Sequence, residues 1–323
     1  MTASAVRAVR YVAESPNVVC VVAADADQKS VRYAEKMIEL NNVADRISVE
    51  AQEANVLLIS HMTDRFDLID LDPYGSPAPF FENALRATMA DGVIAASATD
   101  MAPLTGARAA ACFRKYGIKS VRTEFEKEMA VRTLAANLVI VAAKLELGVT
   151  LAFSHASDHY VRIYADVAKG KKAANQSMNA LEFLTYCPAC LKRAHHQSLG
   201  RIGELCDCGT RVKLGGPFWF GRLWDSPTVE RMIESCPTVE SSRLGELQIL
   251  LDRIRVETEG PPLHYRIDTL SHALRTRPPK ISEVLTTLHE KGFFAARTHF
   301  HPNGFRTDAP HQQVVAVVKD LVV

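Results

Sequence analysis

The tetrapeptide Asp72-Pro73-Tyr74-Gly75 combines residue types that suit chemistry on a planar amine. The Asp72 carboxylate and a fixed backbone carbonyl supply two hydrogen-bond acceptors. Pro73 stiffens the loop, Tyr74 offers an aromatic face for a base, and Gly75 permits close backbone approach. An exocyclic amine is a poor nucleophile because its lone pair is delocalised into the ring, and acceptors on its N–H groups localise that pair.

These properties predict that Asp72, Pro73 and Tyr74 form a catalytic site for methyl transfer to the amino group of an unstacked base. The alternative is a tight turn without chemistry, because Asp, Pro and Gly all favour turns.

Two further acidic residues follow short apolar segments in the same way as Asp72. Asp25 comes after the valine-rich segment Val18–Ala24, and Glu53 comes after Ile47–Val49. Ligands of doubly wound sheets lie at the carboxyl ends of the strands, where a carboxylate can accept bonds from both hydroxyls of a ribose and a polar side chain can meet an adenine edge. Three such positions predict a nucleoside-binding cleft, although a single strand-end acid is more often a helix N-cap.

Four cysteines in a short window predict a metal site. They occur as Cys187-Pro-Ala-Cys190 and Cys206-Asp-Cys208. Four thiolates at this spacing favour a closed, tetrahedral, structural zinc site. Replacement of one cysteine by His195 or His196, and a segment without metal, are the alternatives.

The composition describes an ordinary cytoplasmic protein. The length of 323 residues predicts two domains, and the 47% hydrophobic and 23% charged content is typical of globular proteins. The sequence has neither a long apolar run nor a signal-peptide pattern, so we expect no membrane association. The odd number of cysteines favours a reducing compartment. The isolated Cys20, Cys112 and Cys236 are expected to be small buried residues.

Basic residues are concentrated in the middle of the chain, although the net charge is only +1. Residues 169–222 carry 9 Lys or Arg against 3 Asp or Glu, whereas residues 1–168 carry 17 against 21. Local basicity is what phosphate contact requires, and a solvated basic surface is the alternative. The candidates for a phosphate-contacting face are Lys192, Arg193, Arg201, Arg211 and Lys213.

The tail offers a second candidate surface for RNA, formed by Arg297, His299 and Arg306. Glu128 and Arg132 are four residues apart on a predicted helix, and we interpret them as an ordinary i,i+4 ion pair rather than as substrate-binding residues.

The first 165 residues alternate between strand and helix patterns, which predicts an α/β, doubly wound Rossmann-like sheet with mostly parallel strands. The predicted strands are 18–24, 47–49, 66–71, 92–98, 148–155 and 159–167, and the last two are candidates for a hairpin around Asp158. The predicted helices are 29–41, 80–89 and 126–146. After a polar boundary at 169–175, we predict helices at 229–256, 267–274 and 281–291 and strands at 293–298 and 313–318.

The chain resembles the tRNA (guanine-26-N2)-dimethyltransferases over nearly all of its length. The residues that carry the resemblance are Thr2-Ala-Ser-Ala-Val-Arg7, Asp25, Glu53-Ala-Asn55, Asp70-Leu-Asp-Pro-Tyr-Gly-Ser-Pro77, Thr99-Asp-Met-Ala-Pro-Leu-Thr-Gly106, Glu128 with Arg132, Asp158-His-Tyr-Val-Arg162, Gly216-Pro-Phe-Trp219, Arg297-Thr-His299 and Arg306-Thr307.

The resemblance implies S-adenosylmethionine as the methyl donor and N2 of a guanine in tRNA as the acceptor. It implies that Arg7, Asp25, Glu53 and Ala54 bind the cofactor and that Asp72 is the catalytic carboxylate. The missing long basic extensions make the chain more similar to the archaeal branch, and no obligate protein partner is implied.

Two departures from the family pattern concern the cofactor cleft. Ala5 stands where the family has glycine, which is costly if the local φ is positive. The family also has a further N-terminal segment with the first strand of the sheet, so this sheet is expected to lack a central strand.

These inferences divide the chain into a methyltransferase domain, 1–168, and a C-terminal α+β domain, 169–323, that binds tRNA and contains a zinc knuckle at 184–213. Two alternatives stay open. One is an amino methyltransferase acting on another nucleic acid, and the other is a zinc-stabilised RNA-binding protein without catalysis.

Overall fold

The computed structural model describes residues 1–157, 159–200, 202–238 and 241–322. The α-helices in these ranges are α1 Val6–Glu14, α2 Gln28–Leu40, α3 Ala54–Ser60, α4 Phe81–Ala87, α5 Met101–Leu104, α6 Ala109–Tyr116, α7 Glu126–Lys144, α8 Lys171–Asn179, α9 Ser226–Ser235, α10 Leu244–Glu257, α11 Ile267–Leu274, α12 Ile281–Glu290 and α13 His311–Asp320. The strands are β1 Val21–Ala24, β2 Ile47–Glu50, β3 Phe66–Leu71, β4 Thr88–Ala98, β5 Leu147–Ala156, β6 Val161–Lys169, β7 Leu181–Tyr186, β8 Arg193–His196, β9 Lys213–Trp219, β10 Tyr265–Arg266, β11 Ala295–Arg297 and β12 Gly304–Thr307.

The strands of the first half form a mixed arrangement rather than a mostly parallel sheet. β1 and β2 are a parallel pair, and a separate sheet has the order β3-β4-β6-β5. Within this sheet β3 and β4 are parallel, but β6 is antiparallel to both β4 and β5. The prediction of mostly parallel strands was therefore wrong: β5 leads directly into β6, and such a connection reverses the chain direction. Asp158, the predicted centre of this hairpin, lies outside the described residues.

Among the described residues, no hydrogen bonds join β1–β2 to the four-stranded sheet. Each part has its own apolar core. A small core lies around α1, β1, α2 and β2, whereas the main core runs from Leu58 to Val318 and includes residues from both halves of the chain.

Helix α7 lies at the centre of the main core. It packs against β5 and β6 on the sheet and against β9 from the second half. Residues on all its sides are buried, which is expected of a helix enclosed by other elements. It therefore connects the four-stranded sheet to the rest of the molecule.

Smaller antiparallel sheets and helices make up the second half. β8-β7-β9 form one three-stranded sheet and β10-β12-β11 form another. Together with α9 to α13 they give the predicted α+β character. No helix among the described residues is both long and apolar enough to cross a membrane.

The predicted strand at 313–318 is instead part of helix α13. Val314, Val317 and Val318 are its buried residues, and their spacing of three and four places them on one helical face. The valine-rich composition favoured a strand, but burial follows the helical period. The predicted helix at 229–256 is likewise divided into α9 and α10.

A buried ion cluster joins α7 to the second half of the chain. The Glu128 carboxylate is fully buried and accepts hydrogen bonds from Arg132, from the backbone of Leu263 and from His264. Arg306 Nη2 lies 3.0 Å from Glu128 Oε2. Burial raises the pKa of Glu128, but the charges of Arg306 and Arg132 outweigh it and hold the pKa well below its usual value.

The same cluster extends to Glu257 at the end of α10. Arg306 Nε donates to Glu257 Oε2 at 2.7 Å, and His299 donates to Glu257 Oε1 through its backbone N–H and its ring. Arg306 and His299 are therefore interior residues, and the prediction that they read RNA at the surface was wrong. Glu128 and Arg132 do form the predicted pair, but as members of a buried network rather than as a surface pair.

We predict that Arg306→Met lowers the free energy of unfolding by about 3–5 kcal/mol, because it leaves Glu128 and Glu257 buried without their shared cation. Arg297→Met is the matched control, since Arg297 is exposed on β11. Urea denaturation of both variants at pH 7.5 measures the difference. Equal stabilities for the two variants would contradict a supporting role of the cluster.

Candidate functional site

The Asp72-Pro73-Tyr74-Gly75 segment is a turn fixed between the ends of β3 and β4. Gly75 N donates to Thr99 Oγ1 at 2.8 Å, and Thr99 N donates to Gly75 O at 2.9 Å. Gly75 has φ +97°, a value that favours glycine, and a Cβ there would meet nothing within 4 Å. The glycine is thus explained by its backbone conformation and not by close packing within the chain. The turn interpretation and the site interpretation hold together, because the turn presents Asp72 at the strand end.

Asp72 forms an ion pair with Arg7 of α1. Arg7 Nη1 lies 3.0 Å from Asp72 Oδ2, and the same nitrogen lies 3.4 Å from Asp70 Oδ1. No hydrogen bond to the Asp72 carboxylate is formed within the described part of the chain, and this side chain is 41% exposed. The side chain of Tyr74 is fully exposed. The Asp72 carboxylate and the Tyr74 ring are therefore accessible to a ligand.

Asp70, two residues before Asp72, collects donors from two elements. Tyr11 OH donates to Asp70 Oδ2 at 2.7 Å, and Arg162 Nη2 donates to the same oxygen at 2.8 Å. Burial and the neighbouring Asp70 carboxylate raise the pKa of Tyr11, so its hydroxyl remains a donor. The site therefore contains two carboxylates and two guanidinium groups in alternation.

Asp25 lies directly after β1, and its carboxylate is already engaged. Oδ2 accepts from Ala3 N and Oδ1 from Asp27 N, both at 3.0 Å, and the Met1 ammonium lies 3.1 Å from Oδ2. Burial acts to raise the pKa of Asp25, but these donors together lower it below its ordinary value. The N-cap of α2 is Asp27 and not Asp25.

Glu53 is the N-cap of α3, and Ala54 is the first residue of that helix. Glu53 Oε2 accepts from Asn55 N at 2.9 Å and from Val56 N at 3.3 Å. Because Ala24 pairs with Glu50 in the parallel β1–β2 register, Asp25 and Glu53 emerge at the same edge. Glu53 is therefore a helix cap in this structure, as the alternative interpretation predicted. Both cap hydrogen bonds go to Oε2.

Ala5 has φ 55° and precedes α1 as a fully buried residue. A side chain in this left-handed conformation costs about 1–2 kcal/mol, which is the costly case considered for the departure from glycine. The turn nevertheless starts α1 where Arg7 and Tyr11 reach β3.

The four clustered cysteines come together as predicted from their spacing. Their Sγ atoms all lie within 4.8 Å of one another, and the pairs Cys187–Cys208 and Cys190–Cys206 are 3.5 Å apart. Sulfur ligands about 2.3 Å from a tetrahedral zinc are separated by about 3.8 Å. The donor set therefore suits zinc, and these separations are too long for disulfide bonds.

The two histidines between the cysteine pairs have other partners. His195 Nδ1 contacts Glu182 and its ring stacks on Phe220, while His196 Nε2 lies 2.9 Å from Thr185 Oγ1. The geometry thus favours four cysteine ligands. Of the isolated cysteines, Cys112 and Cys236 are buried as expected, but Cys20 is exposed.

The predicted phosphate-contacting face is only partly present. Arg193 is buried: its guanidinium forms an ion pair with Glu124 and lies 3.8 Å from the centroid of the Tyr265 ring. Lys192 and Arg211 are exposed but paired with Asp207 and Glu204, and Lys213 is exposed. Arg201 lies outside the described residues.

The sequence interpretation missed Asp70, Tyr11 and Arg162 as members of the site. Asp70 and Asp72 are two apart around the end of β3, and this spacing, which directs both side chains to one face, was an available signal. The approach of Arg162 across β4 depends on tertiary pairing and had no local signal.

The comparisons with known proteins agree over almost the whole chain. The family model for N2,N2-dimethylguanosine tRNA methyltransferases matches residues 1–319. The chain belongs to this family. It is 32% identical to a tRNA (guanine(26)-N(2))-dimethyltransferase from Methanosphaera stadtmanae, covering 98% of this chain and 81% of the relative.

Two further relatives extend the comparison. A protein of Aquifex aeolicus named as a tRNA (guanine(26)-N(2)/guanine(27)-N(2))-dimethyltransferase is 28% identical, over 99% of this chain and 81% of its own length. The structure of Trm1 from Pyrococcus horikoshii in complex with S-adenosyl-L-methionine superposes with a TM-score of 0.91 at 27% identity, covering 98% of this chain and 86% of the other. This likeness shows that the chain, with its mixed sheet, has the Trm1-like methyltransferase fold.

The environment of His155 on β5 predicts that the free energy of unfolding depends on pH. It is opposite Arg162 in the β5–β6 register, and burial, followed by the charges of His299, Arg162 and Arg7, lowers its pKa to about 4. The unfolded chain binds a proton at His155 below about pH 6.5, whereas the folded chain does so only near pH 4, so stability falls as the pH drops through this interval.

Between pH 7.5 and pH 5, we expect wild type to lose about 1–2 kcal/mol more unfolding free energy than His155→Gln. His289→Gln, at an exposed position of α12, is the control. Urea denaturation at the two pH values gives the comparison, and identical pH dependence in wild type and His155→Gln would refute the assignment.

Proposed function

We propose that this chain transfers methyl groups from S-adenosylmethionine to the exocyclic N2 of a guanine in tRNA, at position 26 by analogy with the named relatives. The observation that carries the proposal is the arrangement of Asp72 directly after β3, with Arg7 Nη1 3.0 Å from its Oδ2 and its side chain 41% exposed. Family membership supports the substrate class.

The residues at the nucleotide end of the sheet fit S-adenosylmethionine chemically. Asp25 offers a carboxylate for the ribose hydroxyls, Glu53 and the start of α3 at Ala54 offer polar groups for adenine, and Arg7 offers a cation for the cofactor carboxylate. When bound, S-adenosylmethionine supplies an electrophilic methyl group.

The chain's own contribution is to orient and activate the acceptor amine. Asp72 and the backbone beside Pro73 accept hydrogen bonds from the N–H groups of the guanine, which directs the lone pair out of the ring system. The exposed Tyr74 ring provides a stacking surface for the extruded base, an interaction worth about 1–3 kcal/mol per base.

The remaining assignments concern the second half of the chain. We assign 1–168 to the methyltransferase domain and 169–323 to a tRNA-binding domain, with the four-cysteine cluster Cys187, Cys190, Cys206 and Cys208 holding a structural zinc. A zinc there stabilises a short segment that has little core of its own. We also assign the chain to the cytoplasm, which a tRNA substrate supports.

We predict that Asp72→Ala lowers the rate of methyl transfer to unmodified tRNA by at least about 100-fold, because the amine loses its charged acceptor. Asp67→Ala, an exposed position on the same strand, should keep its activity. Nucleoside analysis of the tRNA for N2-methylated guanosine gives the measurement.

Three outcomes separate the proposals. Activity of Asp72→Ala equal to that of Asp67→Ala would remove Asp72 from the catalytic site. Binding of tRNA by wild type without any binding of S-adenosylmethionine would favour the alternative of an RNA-binding protein without catalysis. Methylation of another base or nucleic acid in preference to tRNA guanine would favour the alternative amino methyltransferase.

For the metal, we expect about one zinc per chain in protein purified without chelator. Cys190→Ser should lose the zinc and unfold at a lower temperature, whereas Cys20→Ser, at an exposed cysteine outside the cluster, should keep both properties. Elemental analysis together with thermal denaturation tests this, and a zinc content unchanged in Cys190→Ser would disprove the site.

A further inference from the structure

The Arg162 side chain extends from β6 across β4 to Asp70 near the end of β3. It lies on β6, its register partner on β4 is Ser97, and its Nη1 donates to Ser97 Oγ at 2.7 Å. Its Nη2 continues to Asp70 on β3 at 2.8 Å. On β4 the register partner of Asp70 is Ala95. The small Ala95 side chain leaves room for the Arg162 guanidinium.

The position of Arg162 is fixed on every side. Nε donates to Tyr164 OH at 2.8 Å, and the guanidinium lies 4.7 Å from the centroid of the Tyr164 ring. Its side chain is only 5% exposed. All three guanidinium nitrogens thus donate to partners on β3, β4 and β6. The guanidinium that binds Asp70 is therefore held in one orientation.

Arg7 is far more exposed than Arg162. Its side chain is 39% exposed, and Nη1 lies between Asp70 and Asp72 at 3.4 and 3.0 Å. Without the charge of Asp70, Asp72 would be its single anionic partner. A guanidinium that pairs with a carboxylate through both fork nitrogens occupies both oxygens. The oxygen needed for the amine would then be blocked.

We propose that Asp70, anchored by Arg162, is a positioning residue for methyl transfer. It shares the charge of Arg7 and so confines Arg7 to one oxygen of Asp72, which leaves the other oxygen for the acceptor amine. This inference rests on the proposed function. It concerns the orientation of the bound amine and therefore the rate of the chemical step, not the binding of tRNA.

The test compares Asp70→Asn with Asp67→Asn, which makes the same charge change on the same strand at an exposed position. We expect kcat of Asp70→Asn to fall about 10- to 100-fold with KM for tRNA changed less than about threefold, and Asp67→Asn to match wild type. A loss confined to KM, or a kcat equal to that of Asp67→Asn, overturns the proposal.

A second comparison tests whether Asp70 acts through Arg7. Single-turnover rates are measured for Arg7→Gln and for Arg7→Gln with Asp70→Asn. Enzyme is in excess over tRNA and S-adenosylmethionine is saturating, so that the role assigned to Arg7 in cofactor binding limits neither rate. The additional substitution should change the rate less than about threefold, because the residue to be positioned is absent. A further tenfold loss in the Arg7→Gln background would show an independent structural role and overturn the proposal.

Arg162→Lys serves as the second variant, should Asp70→Asn fail to fold. A lysine cannot contact Ser97, Tyr164 and Asp70 together, so kcat should again fall with KM nearly unchanged. Unfolding temperatures of all variants exclude those that are misfolded. An inactive wild type would defeat the proposed function itself, whereas an active wild type with an unimpaired Arg162→Lys would defeat only this inference.

Discussion

The burial of the Glu128 carboxylate is the constraint on which most of the architecture depends. A charge inside a protein costs several kcal/mol unless its oxygens are fully hydrogen bonded. Among the donors to Glu128, Arg132 is the local one. The other donors lie 135 to 178 residues later in the chain: the backbone of 263–264, the His264 ring and Arg306. The carboxylate is therefore satisfied only when the C-terminal half has folded against α7. Since α7 also packs against β5 and β6, the same contacts support the strand that carries Arg162.

Ions of alternating charge connect the end of β3 to α1 and β6. Asp72, Arg7, Asp70 and Arg162 form a series in which each ion lies next to one of opposite sign. Exposure decreases along it, from the accessible Asp72 to the buried Arg162. Each ion pair is screened less than the one before, so the interactions become stronger toward the interior.

The sequence predicted local features well and tertiary ones poorly. β3 and α11 have the predicted bounds, because apolar runs flanked by polar residues define them without help from the rest of the chain. The four cysteines and the strand-end positions of Asp25, Glu53 and Asp72 were likewise found by local pattern. The antiparallel pairing of β6 with β5 was predicted, but its antiparallel pairing with β4, the buried Arg306 and the helical state of 313–318 were not. In each of these the decisive factor is a partner distant in sequence, which overrides composition and propensity.

Arg193 shows why a count of basic residues overstates the phosphate-binding surface of the middle segment. It contributes to the positive charge of that segment, yet its guanidinium joins β8 to Glu124, to the carbonyl of His264 and to the Tyr265 ring. It joins β8, next to the four cysteines, to Glu124 just before α7 and to Tyr265 on β10. The charges of Lys192 and Arg211 are compensated by Asp207 and Glu204 in the same segment. Burial removes Arg193 from the surface, and pairing compensates Lys192 and Arg211, so the composition of residues 169–222 overstates the exposed positive charge of this segment.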